Sequence, residues 1–161
     1  MSNQVKKTTT EEENLELDTD LKIFLKQWFS GFLKGIKELD DDNLLKILAL
    51  TGRACVKIHS SGSFWEIWEA TRNIDDFISK INEFHGEEIY KRVDNRIFVT
   101  YTSCRCPLVK FDIVNSPVIC YCFNRLGENF ETILKESVKV FTENTILRGG
   151  KCCKFIIFIG S

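Results

Sequence analysis

The chain has 161 residues, 43% of them hydrophobic, with a formal net charge of −1 and a pI near 6.2. That length supports one substantial core rather than two ordinary domains, and the near-neutral balance excludes a general polyanion or membrane-surface binder as the first reading. No run reaches the roughly 18 apolar residues needed to cross a bilayer, and no signal-peptide core follows the first charges. The expectation is therefore a soluble, cytoplasmic protein without nucleic-acid or membrane partners, whose seven cysteines are thiols or metal ligands.

Residues 1–13 are polar and aperiodic and read as a disordered arm, leaving 14–161 as one domain. From Asp18 or Asp20, each a candidate helix cap, Leu21, Phe24, Leu25, Trp28, Phe32, Ile36 and Leu39 recur at helical spacing and predict a long amphipathic helix with a broad buried face. Trp28 and Phe32 on that face are candidate ligand-lining residues. Asp40, Asp41 and Asp42 precede a second apolar helix with Leu44, Leu45, Ile47, Leu48 and Leu50, expected to be buried on most sides. They lack the alternating spacing of a calcium loop and read as capping residues. Gly52 and Cys55 lie toward its end.

A turn over 60–63 leads to a short helix carrying Phe64, Trp65, Ile67 and Trp68, and Asn73 caps another that ends at His85 and Gly86. His59 and His85 are the two histidines available as bases. The period then changes. EEIYKRV and RIFVTYTS flank Asp94 and Asn95 as a hairpin, LGENFETILKESV returns to helical spacing, and SVKVFTENTIL and CCKFIIFIG form a closing hairpin around Arg148, Gly149 and Gly150. Helices first and antiparallel hairpins later make the class α+β.

Six cysteines fall within 50 residues as three doublets: Cys104 and Cys106, Cys120 and Cys122, Cys152 and Cys153. Such clustering points to metal, redox or nucleophile chemistry. On an extended segment Cys104 and Cys106 share a side at a separation of about 6.5 Å. If helical, Cys120 and Cys122 are turned apart by about 200°, and Cys152 and Cys153 on a strand face opposite ways. One cysteine from each doublet, or two from the first, would then meet in a tetrahedral zinc site, with Cys153 the first candidate. Lys135, Lys139, Arg148, Lys151 and Lys154 against Glu136 and Glu143 leave a local excess of three positive charges, which favours a thiolate or a small carboxylate ligand.

The segment containing Cys106, Pro107 and Leu108, then Cys120 or Cys122, then Thr145, Leu147, Arg148, Gly149, Gly150, Cys153 and Phe155 resembles the cysteine-rich family named for L-2-amino-thiazoline-4-carboxylic acid hydrolase. It is more remotely similar to the 4-vinyl reductase (H-NOX-like) ligand-binding domain. The resemblance implies helices packed on a small antiparallel sheet around an apolar pocket beside the cysteines. It also implies zinc held by three cysteines and a glutamate: Cys120 or Cys122 first, Glu143 as the glutamate and Cys153 last, with the remaining cysteine of the pattern, just after the glutamate, falling near Ile146 and open to the second member of a C-x-C pair, Cys106 or Cys122, or to Cys55.

Two functions follow as expectations. The first is a small-molecule-binding or sensor domain in which zinc fixes the closing hairpin, while Trp28, Phe32, Trp65, Trp68 and Arg148 hold a small apolar or aromatic molecule and a partner or a homodimer carries the signal. The second is a small hydrolase acting on a cyclic amide-like or thiazoline-like substrate, with Glu143 as base or with Cys153 or Cys106 as nucleophile.

Overall fold

The computed structural model describes residues 18–59, 63–120 and 122–160, without the side chains at 52, 53, 55–59 and 119. The polar arm over 1–13, most of the 60–63 turn, and the side chains of Cys55 and His59 lie outside the described residues. The first helix, α1 (Thr19–Ile36), begins where Asp18 accepts hydrogen bonds from the backbone N–H groups of Asp20 and Leu21. Asp40 caps α2 (Asp41–His59) in the same way through Asn43. Then come α3 (Ser63–Thr71) and α4 (Ile74–His85), the latter capped by Asn73 and closed by Gly86 in the left-handed conformation.

Four strands follow: β1 (Tyr90–Val93), β2 (Arg96–Tyr101), β3 (Val138–Asn144) and β4 (Cys153–Ile159), antiparallel throughout and ordered β1-β2-β4-β3. A four-residue helix, α5 (Pro107–Lys110), and α6 (Cys122–Leu134) lie between β2 and β3. The class is α+β, with helices leading and one antiparallel sheet following. Period-two alternation sends Ile97, Val99 and Tyr101 of β2 and Cys153, Phe155 and Ile157 of β4 to one face. There they pack with Phe77, Ile81, Leu126, Phe130 and Ile133 from α4 and α6. The Asn82 side chain joins helix to sheet, donating to the Tyr90 carbonyl at 2.7 Å and accepting from the N–H groups of Ile89 and Tyr90.

A second, smaller core forms where Leu25, Phe29 and Leu33 of α1 cover Cys106, Ile113 and Val114. Lys26 of α1 reaches Asp112 at 2.7 Å. This orientation corrects the expected buried face of α1. Leu21, Phe24, Trp28, Phe32 and Leu39 are exposed, and Trp28 stacks on Phe32 with ring centroids 5.4 Å apart. Apolar residues occur on both stripes of this helix, and the docking of the 107–114 segment decides which stripe is covered. The second helix is likewise less enclosed than its composition predicts. It packs on α6 along one side, while Leu45 and Leu50 are exposed.

Candidate functional site

Pro117 opens a 3-10 turn, Pro117–Ile119, whose last carbonyls are followed by Cys120 at φ −73°, ψ 89°, outside the helix. Cys122 is the first residue of α6. The sequence geometry that separates these two thiols requires both to be helical; because the turn precedes the helix, Cys120 stays outside α6, and the two thiols lie close enough to act on each other's ionisation. That correction changes the chemistry of the doublet. The interaction favours the anion at Cys120 and the neutral thiol at Cys122, so Cys120 is the better thiolate.

The opposite wall comes from the loop between β3 and β4. The Thr145 carbonyl accepts from the N–H groups of Arg148 and Gly150, both at 3.0 Å, closing a second 3-10 turn over Ile146–Arg148. Gly149, at φ 85°, lets the chain leave it. The Cys153 sulfur accepts the Ile146 N–H at 3.4 Å and ties this loop to the sheet. Cys153 is 4% exposed and pairs in register with Tyr101. It is thus engaged in holding the loop that presents Thr145 and Arg148.

These groups lower the Cys120 thiol from its ordinary 9.0 to about 6. The Cys122 hydrogen bond contributes most, burial opposes it, and the Cys122 backbone N–H, the Arg148 guanidinium and the Thr145 hydroxyl add to the lowering. Thr145 is 1% exposed, and its Oγ1 makes no well-formed hydrogen bond. It stands close enough to favour the Cys120 anion, so ionisation supplies the acceptor this buried hydroxyl otherwise lacks. The hydrogen bond given to Cys120, together with burial, pushes the Cys122 thiol up. Burial likewise raises Cys106 and Cys153. Ionisation of Cys104 or Cys120 opposes that of both Cys106 and Cys153, so the doublets do converge on one region.

Convergence is not coordination. Among the described residues, no three His, Cys, Asp or Glu side chains are grouped to hold a metal ion. All six described cysteines are free thiols. Glu143 is exposed on β3 at the bulge between Thr142 and Asn144, and Cys106 is packed in the α1 core. The donor set implied by the resemblance is therefore not assembled as placed.

Cys120 and Arg148 lie in the wall of a cleft of about 380 Å³, whose remaining lining is Leu44, Leu45, Leu48, Pro117, Val118 and Phe123. Among the five residues expected to form a ligand pocket, Arg148 is the one found here. Trp28 and Phe32 are on the outer side of α1, Trp68 packs edge-on against Phe77, and Trp65 lines a different cavity. Sequence reasoning missed the leucines of α2 as lining residues, although their excess over what one helix face buries was a visible signal. No family model matches the chain, and no curated protein matches it.

Proposed function

We propose that the protein is a small-molecule-binding module whose ligand occupies the cleft between α2 and the start of α6, with Cys120 as a thiolate contact. The observation that carries this reading is the placement of Cys120 and Arg148 in an otherwise apolar cleft. A thiolate beside a guanidinium is nearly neutral as a pair, so the cleft selects its ligand by the apolar body that fits Leu44, Leu48, Val118 and Phe123. A polarised group on that ligand would meet the sulfur and Arg148.

The second reading, a hydrolase of cyclic amide-like or thiazoline-like substrates, is favoured by one fact: the lowered thiol makes Cys120 nucleophilic near neutral pH. It would place Cys120, rather than Cys153 or Cys106, in the attacking role. His85 borders a separate cavity with no lining residue in common, so it is not positioned to serve this sulfur. Binding without turnover is the simpler reading.

The neutral apolar dye N-phenyl-1-naphthylamine tests it. The dye should bind one per chain with enhanced fluorescence and slow alkylation of Cys120 by iodoacetamide, while Leu48→Asp should weaken both effects. Saturable binding that leaves Cys120 alkylation unchanged would contradict the assignment. Metal analysis of protein purified without chelator addresses zinc: the thiol placement supports a metal-free site, and one zinc per chain that is lost in Cys120→Ser would overturn that part.

A further inference from the structure

Apart from the cleft, a cavity of about 270 Å³ is lined by Ser63, Phe64 and Trp65 of α3, Ile81 and His85 of α4, and Tyr90, Tyr101, Arg105, Arg125 and Asn129. It shares no lining residue with the Cys120 cleft. From this constellation we propose a second binding site, for a small aromatic carboxylate whose ring lies against Phe64 and Trp65 and whose carboxylate meets Tyr90, Tyr101, Arg105 and Arg125.

Tyr90 and Tyr101 are both about 5% exposed, and their hydroxyl oxygens are 3.1 Å apart. Two hydroxyls carry two protons, and their mutual hydrogen bond uses one. The second O–H is directed away from that bond and needs an acceptor, which a buried donor is costly to lack. Burial raises both phenols above their ordinary range, so both remain protonated donors at neutral pH.

Every other polar group in the wall suits an anion. Arg105 lies over the Tyr101 ring with its guanidinium carbon 5.8 Å from the centroid and pairs with Glu87, which holds it at the mouth. The Arg125 charge favours ionised forms at both tyrosines, which places a positive potential at the phenol pair. Partial burial and Arg105 hold His85 below its ordinary value, so it enters as a neutral ring. Asn129 follows Arg125 by one helical turn and borders the same space. Glu87 is the acid that faces Arg105, and the salt bridge leaves donors of the planar guanidinium for a ligand.

Size and lining limit the class. The volume lies just under the range of about 300–1,000 Å³ typical of drug-sized ligands, so the occupant is small. Phe64 and Trp65 meet edge to face with centroids 5.9 Å apart and give it an aromatic wall.

Calorimetric titration with benzoate and with its neutral isostere benzamide tests the site at fixed ionic strength. Benzoate should bind one per chain and at least about ten-fold more tightly than benzamide, as expected for hydrogen bonds to a charged group. Tyr101→Phe and Arg125→Gln should each weaken benzoate by about ten-fold. Equal binding of the two probes, no saturable benzoate binding, or binding of inorganic phosphate without benzoate would overturn the proposal. The probe comparison uses the unaltered protein, so it decides the question even where a variant fails to fold.

Discussion

Cys120 and Cys122 show how two identical side chains acquire opposite roles from the way they share one hydrogen bond. Cys122 donates and is pushed up; Cys120 accepts and falls to about 6. Replacing the donor should reverse this, so Cys122→Ala is expected to move the Cys120 thiol back toward 9.0, read as the midpoint of its alkylation rate against pH. Arg148→Gln should move it in the same direction by less, because the Arg148 charge ranks below the Cys122 hydrogen bonds. A depressed thiol also links stability to pH. The Cys120 anion is favoured in the folded chain, so its contribution is fully present above 9.0 and is lost as pH falls through about 6. Cys122 has the opposite sign: its raised thiol favours the folded state below 9.0 and ceases to do so as pH rises. Between pH 6 and 9 the Cys120 contribution dominates, and thermal melts should show Cys120→Ala losing the rise in melting temperature that the natural chain shows across that window.

At the scale of elements, the site depends on two turns and one anchor. Gly149 holds φ 85° at the end of the turn that carries Arg148, so Gly149→Ala should cost about 1–2 kcal/mol, measured by denaturant unfolding. Asn82 fills three backbone hydrogen bonds between α4 and β1, and Asn82→Ala should cost about 1–3 kcal/mol by the same measurement. Much of this level was readable in the sequence. Asn73 and Gly86 bracket α4 as their types predict, Asp94 and Asn95 turn the first hairpin, and Arg148 to Gly150 fall in the connection of the second. Periodicity does not specify which of two apolar stripes on α1 is buried, since Leu25, Phe29 and Leu33 pack inward through contacts with Ile113 and Val114, residues about 80 positions away. The relation of Cys120 to Cys122 was hidden for a local reason. Pro117 starts a 3-10 turn that keeps Cys120 out of the helix, and helical spacing applied across that boundary gives the wrong answer.

At the scale of the whole molecule, the sheet order assembles the site. Pairing of β2 with β4 sets Tyr101 opposite Cys153, and pairing of β3 with β4 closes the loop that bears Thr145 and Arg148 over Cys120. Sequence clustering of the cysteines signalled this region, but neither their partners nor the tyrosine and arginine cavity follows from spacing alone, because those groups come from α3, α4, β1, β2 and α6. The support beneath the tyrosine and arginine cavity is the aromatic core in which Phe130 is fully buried and meets Phe64, Phe77 and Tyr90. Phe130→Ala should therefore cost about 3–5 kcal/mol in chemical denaturation and weaken benzoate binding in that cavity. The central claim is that Cys120 is an ionised thiol in an apolar cleft, and mass-resolved iodoacetamide labelling as a function of pH tests it directly. Cys120 should be modified first, with a rate midpoint near pH 6 that rises in Cys122→Ala. Preferential labelling of Cys104 or Cys152, or a Cys120 midpoint near 9.0, would contradict it.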